Sequence, residues 1–237
     1  MFVAIVNHDC NEGAAALVQG FRPHGPVAAI DSGSRLEPRH EALFDVRLPN
    51  VYYVGLLNEA VRLARLRGER RALYFVCSDV RFRDCGAALR RAEEAFRDPR
   101  IGVYAPSATA SSHAQMRWRG SGRLRPAIFV EGFCFAARLA LLEEMTPVDT
   151  SVNRIGWGLD VYLGFLALRR GMRSVVDDRI TVEHPRTSGY ARQEARSQRD
   201  RWFERQDPRA RRFQRLTGNT LAKTRVGYEL VSRLPWS

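Results

Sequence analysis

The sequence predicts an α/β fold: one domain on a largely parallel sheet with helices on both faces. Three observations carry that expectation. Short apolar runs alternate with amphipathic stretches over the first hundred residues, the pattern of strand–helix–strand units. Each early run ends in polar residues, Asn7-His8, Asp31-Ser32 and Ser78-Asp79, where open α/β sheets bind ligands. A chain of 237 residues with 45% hydrophobic content is also long enough to bury one substantial core.

The elements follow in order. Phe2–Val6 reads as a strand, Gly13–Val18 as a helix and Val27–Ile30 as a second strand. Val51–Arg67 reads as a long amphipathic helix with Val54, Leu57, Val61 and Ala64 on one face. Leu73–Cys77 is a third, buried strand that delivers Ser78 and Asp79 at its carboxyl end. A helix opened by Asp84 as its cap covers Cys85–Phe96, and a fourth strand covers Ile101–Tyr104. After a polar stretch, Ser107–Arg125, the pattern gives a strand over Ile128–Ala136 and a helix over Leu139–Met145. A glycine-flanked loop, Gly156-Trp157-Gly158, leads into a helix over Leu159–Arg170. Two further strands are expected, Ser174–Val176 and Arg179–His184. Beyond Pro185 the composition turns arginine-rich, which divides the chain into a domain over 1–185 and a basic helical extension over 186–237. That extension reads as a flexible loop followed by exposed helices that pack on or close the active site. No internal repeat is visible.

Charge bounds the partners without choosing one. The formal net charge is +12, and Lys223 is the only lysine among 38 basic residues. Such an excess suits nucleic acid, anionic lipid, a phosphorylated substrate or a solvated arginine-rich surface alike. Cys10, Cys77, Cys85 and Cys134 form no Cys-x-x-Cys pair, and Cys77 and Cys134 lie in apolar strands where a thiol acts as a small hydrophobe; a reducing cytoplasm is expected. Met1–Val6 enters a strand directly, with neither a basic leader nor a long apolar stretch, so membrane contact is expected only as a peripheral one at the inner face. Leu221–Trp236 is amphipathic. Packing on its own domain is the default, with a homodimer partner or a membrane surface as alternatives.

Several polar residues each admit two readings. Asp160 is either a base at a loop-to-helix junction or an acidic residue placed in a first turn by the helix dipole. Trp157 presents an aromatic face, and the flanking glycines would let backbone approach a ligand. Asp31 is either a ligand residue at a strand end or part of an Asp-Ser-Gly turn, and Asn58 either faces a ligand or is an ordinary polar residue on a helix side. Asp79 could ligate a metal or accept backbone N–H bonds at a strand end. His184, next to Pro185, is either its partner or structural.

Taken in sequence, the strand, the Asp31-Ser32-Gly33-Ser34 turn, the amphipathic helix with Asn58, the strand ending in an Asp motif, the Gly156-Trp157-Gly158-x-Asp160 loop and the strand ending in His184 resemble the nucleotide-sugar glycosyltransferases of the GT-A fold. The pattern is similar to the family-2-like group, with an echo of the Gly-Trp-Gly-acidic motif of galactosyltransferases, and covers about residues 1–185. The resemblance implies a single GT-A type domain that moves a sugar from a nucleotide-diphosphate donor to a glycan, lipid-linked or protein acceptor. It implies a divalent cation, Mn2+ or Mg2+, held by Asp79 and His184, with Cys77 standing where the first Asp of the usual Asp-x-Asp motif would be. Asn7, His8, Asp31, Ser32, Asn58, Ser78 and Asp79 would bind the nucleotide sugar, Trp157 and Gly158 the acceptor, and Asp160 would be the base of an inverting transfer. Gln198-Arg199-Asp200-Arg201-Trp202 matches the short Gln-x-x-Arg-Trp pattern of processive glycosyltransferases, yet no membrane helix accompanies it; an Arg186–Arg201 region that closes over the diphosphate is the simpler expectation. Two other classes stay open. A nucleotidylyltransferase predicts a glycine- and lysine-rich loop near the first strand, which Asn7–Gly13 lacks. A nucleic-acid-binding module would leave Asp79, Asp160 and His184 without a role, so no nucleic acid partner is expected.

Overall fold

A computed structural model describes residues 1–184, 191–218 and 225–234, with backbone alone for 225–228. The chain runs β1 (Phe2–Asn7), α1 (Asn11–Phe21), β2 (Val27–Ser32), α2 (Pro38–Glu41), β3 (Val46–Leu48), α3 (Tyr52–Leu66), β4 (Ala72–Cys77), β5 (Arg81–Phe82), α4 (Cys85–Ala95), β6 (Ile101–Ala108), β7 (Leu124–Ala127), β8 (Cys134–Arg138), α5 (Leu139–Met145), α6 (Leu159–Arg169), β9 (Arg173–Glu183), α7 (Arg192–Glu204), α8 (Pro208–Thr217) and α9 (Arg225–Ser232).

Among the described residues, all nine strands join one sheet in the order β3-β2-β1-β4-β8-β6-β9-β5, with β7 added to β9. The first four are parallel. β8 then runs antiparallel to both β4 and β6, and β9 returns parallel to β6, so the sheet is mixed beyond β4. Every residue of β1 is buried, as expected of a central strand covered on both faces. α1 packs on α4, whereas α3, α5 and α6 pack in succession, which divides the helices into two groups. The largest fully buried side chains include Tyr74, Phe75, Phe2, Phe21, Tyr104 and Phe165, so the core lies along the sheet.

Several sequence expectations are corrected. The strand expected over Ile128–Ala136 begins only at Cys134; residues 128–133 are loop, with Ile128, Phe129, Val130 and Phe133 buried and Glu131 and Gly132 interrupting the apolar run. The two strands expected at Ser174–Val176 and Arg179–His184 are one, β9; the Asp177-Asp178 pair that looked like a break is buried and ion-paired within it. The helices beyond residue 190 are exposed on one side only. α7 buries Ala195, Gln198, Trp202 and Phe203, and α8 buries Ala210 and Phe213. The loop expected around Arg186 lies outside the described residues, as do 219–224 and 235–237 of the tail. Among the described residues no helix is long and apolar enough to cross a membrane.

Candidate active site at the carboxyl edge of the sheet

The parallel strands place their polar ends side by side. Register pairs Asn7 with Asp31 and Val6 with Cys77, so β1, β2 and β4 stop at one edge, and β1 sits at the point where chain connections leave in opposite directions. Asn7 is fully buried and donates through Nδ2 to Asp31 Oδ1 (3.0 Å), Asn11 Oδ1 (2.8 Å) and Ser34 Oγ (3.0 Å). Asp31 also accepts from the Ser34 hydroxyl and, through Oδ2, from the Ser34 N–H at 3.1 Å. Its carboxylate therefore closes the turn, the plainer of its two readings. Beside it, half-exposed His8 sets Nδ1 2.7 Å from the Ser32 carbonyl, while Ser32 Oγ accepts from Val51 N–H at 2.9 Å and anchors the entry to α3.

Asp79 and His184, separated by 105 positions in the chain, come together because β5 pairs with β9, Arg81 opposite Glu183. His184 Nε2 lies 3.2 Å from Asp79 Oδ2, with the side chains 19% and 33% exposed. The His184 ring stacks on Phe133 with centroids 4.1 Å apart and planes 6° apart. Next to Asp79, Ser78 is buried, and its carbonyl lies where a Cβ on Gly13 would sit, so α1 packs against the end of β4. Cys77 is in contact range of this site, but burial first, and the Asp79 charge second, push its thiol well up, so it stays protonated.

Asp160 is the second acidic centre. It stands in the first turn of α6, is mostly buried, and accepts its own helix's Val161 N–H at 2.8 Å. Burial pushes its carboxyl above the ordinary range; His113 and the Val161 N–H pull it back, and Glu131 adds to the rise. A narrow apolar cavity lined by Tyr53, Leu57, Val130, Met145 and Leu163 lies beside it. The Glu131–Phe133 loop joins the two acidic centres, since Glu131 acts on Asp160 while Phe133 carries His184 and the Gly132 carbonyl accepts from Tyr53 Oη at 2.9 Å.

The loop before α6 is braced from below. Asn153, fully buried, accepts from Gly156 N–H at 2.8 Å and donates to the Trp157 carbonyl at 3.0 Å. Gly156 and Gly158 both adopt φ of +89°, and a Cβ at Gly158 would sit 2.7 Å from Phe203 and 2.8 Å from Arg199. Gly158 thus gives close approach to α7, and Trp157 is half-buried. The Asn58 amide donates to the Val148 carbonyl and accepts from the Val148 N–H, both at 2.9 Å, so it ties α3 to the segment after α5. The Gln-x-x-Arg-Trp sequence serves as a dock: Gln198 Oε1 accepts from Arg154 and Ile155 N–H (3.0 and 3.2 Å), and Trp202 meets Tyr162 edge-on at 4.9 Å.

Sequence reasoning missed His113 and Glu131. Glu131 had a readable signal, as the only charged residue in the apolar run Ala127–Ala137. His113, within a polar loop, had none.

No family model and no curated protein matches this chain. Solved structures do. GalNAc-T7, determined with UDP, GalNAc and Mn2+, matches at TM-score 0.62 and 14% identity over 98% of this chain; the chain spans 53% of it, about half. The mannosyltransferase PcManGT from Pyrobaculum calidifontis, determined with GDP-Man and Mn2+, matches at TM-score 0.56 and 13% identity over 98% of this chain and 82% of its own. Residues 1–349 of S. aureus TarS match at TM-score 0.56 and 13% identity over 77% of this chain and 59% of that one. With its mixed nine-stranded sheet, flanking helices and carboxyl-edge cluster, the chain has the GT-A fold of nucleotide-sugar glycosyltransferases.

Proposed function

We propose that the protein is a metal-dependent glycosyltransferase that takes a sugar from a nucleotide-diphosphate donor and inverts its anomeric centre. The observation that carries this reading is the Asp79–His184 pair at 3.2 Å, linked through the Glu131–Phe133 loop to the mostly buried carboxylate of Asp160. One carboxylate and one imidazole are a fitting but incomplete donor set for Mn2+ or Mg2+, whose remaining positions are commonly filled by substrate phosphates and water. Bound there, the ion would neutralise charge growing on the leaving diphosphate.

The residues of the chain divide the remaining work. His8, with Asn7, Asp31 and Ser32 fixing the turn beneath it, forms the floor for the nucleoside. Trp157 offers an aromatic face for the acceptor. Asp160, whose burial keeps its proton affinity above that of an ordinary carboxylate, takes the acceptor hydroxyl proton as the new bond forms. The acceptor would be a glycan or glycoconjugate and the reaction cytoplasmic, with α7 and α8 packed against the helix that carries Asp160.

The test is thermal stabilisation by UDP, GDP, CDP and dTDP, each with and without manganese. A ligand that binds only the folded state raises Tm. A rise with one nucleotide that requires the metal is expected, and absence of a rise with any of them would count against a donor site.

A further inference from the structure

We propose that His113 is the positioning residue that keeps Asp160 ionised and aimed, a role that has catalytic meaning only if Asp160 is the transfer base. His113 Nε2 lies 3.9 Å from Asp160 Oδ2, and the two side chains are 23% and 17% exposed. The separation exceeds a hydrogen bond, as is common for catalytic contacts before substrate closes the site.

One contact holds the ring of His113 and others hold the loop that carries it. The ring edge meets Phe129 at 4.8 Å and 81°. The backbone N–H of His113 donates to Ser111 Oγ at 3.0 Å. The hydroxyls of Ser111 and Ser112 both donate to Glu131, one to each oxygen, which latches the loop. Glu131 spends its two oxygens on this latch, an arrangement that makes it a fastener of the His113 loop. Among the described residues His113 Nδ1 is buried without a hydrogen-bond partner. A proton there would be a buried, unmatched donor, whereas a bare lone pair costs less. An N–H on Nε2, toward Asp160, is thus better matched than one on Nδ1.

The other groups that face Asp160 are few. Glu131 opposes its ionisation from the loop before β8, the Val161 N–H favours it from α6, Tyr53 of α3 lines the adjoining cavity, and Arg199 of α7 lies against Gly158. During transfer the acceptor oxygen forms its bond to the anomeric carbon with an electron pair. Its proton ends on Asp160, and the electrons of the broken carbon–oxygen bond leave with the nucleoside diphosphate.

Two variants separate the role from mere packing. His113→Asn reaches only the Nδ1 position and removes the donor toward Asp160; His113→Gln restores an amide N–H near Nε2. In full-length protein with 13C-labelled aspartate, the Asp160 signal is identified by its loss in Asp160→Asn, and its titration midpoint is read directly. The midpoint is expected to rise by about half to one pH unit in His113→Asn, since a favourable donor is lost, and to return toward wild type in His113→Gln. In donor hydrolysis with UDP-, GDP-, CDP- and dTDP-sugars and manganese, the acid limb of the rate profile should move to higher pH by the same amount with donor KM unchanged. An unmoved Asp160 midpoint in folded His113→Asn overturns the proposal. If the wild type turns over no sugar, the transferase reading is lost while the titration still decides the pairing. Should His113→Asn fail to fold, the Gln variant decides, because a midpoint shifted fully upward in it contradicts the donor role.

Discussion

At the scale of single residues, the division of labour between the two acidic centres makes opposite predictions for two substitutions. Asp160→Asn keeps size and hydrogen bonding but cannot accept a proton. It is expected to lower transfer by about 100- to 10,000-fold, the usual worth of a positioned base, while nucleotide binding by calorimetry stays intact. Asp79→Ala should instead abolish the manganese dependence of nucleotide binding, with equal loss of binding in both variants contradicting the assignment. A third residue prediction concerns stability. Asp178 is fully buried, and its carboxyl stays below the ordinary range because bonds from Arg125 and Ser121 outweigh the upward push of burial. Arg125 grips both oxygens, at 2.8 and 2.9 Å. Arg125→Met leaves that charge unpaired and should cost about 3 kcal/mol in denaturant unfolding at neutral pH. Because the folded pKa is depressed, the stability is present above the unfolded carboxylate value of about 4 and fades as pH falls through the folded value, so the gap between variant and wild type should shrink in acid. None of this was legible beforehand, since Asp177-Asp178 reads locally as a polar break and its arginine partner lies 53 positions away.

At the scale of elements, α7 holds the loop that carries Trp157 and Asp160. Gln198→Ala would leave the buried N–H groups of Arg154 and Ile155 without their acceptor, a loss of about 1–3 kcal/mol, and should loosen that loop with little change in nucleotide binding. Gly158→Ala combines a left-handed backbone with a Cβ inside Phe203, and should cost more than about 1–2 kcal/mol, measured by denaturant midpoint. Here the sequence was read partly well. The helix with a clear apolar face, α3, and the largely apolar α5 and α6 fall where the sequence puts them, and Asp84 caps α4 by accepting from Ala87 N–H at 2.8 Å. β3, β5 and β7 went unread because two to four residues cannot display a period, and they exist through pairing with distant strands.

At the scale of the whole molecule, residues beyond 190 cover the domain. Trp202 and Phe203 meet Tyr162, and Phe213 packs on Phe165 at 5.9 Å, so these helices complete the core behind the candidate base. A chain cut after residue 184 should therefore bind hydrophobic dye and lose several degrees of Tm relative to the full chain, whereas a merely tethered extension would leave both unchanged. The sequence by itself determined the α/β class, the carboxyl-edge positions of Asn7, Asp31 and Asp79, and the helix start that holds Asp160, because strand and helix periods and the residues at their ends are local properties of the chain. The tertiary structure alone decided that His184 meets Asp79, that His113 and Glu131 join Asp160, that Asn58 serves Val148, and that Gly158 makes room for α7. Each of these depends on the register of strands and helices far apart in sequence, fixed only when burial of the whole sheet selects one arrangement.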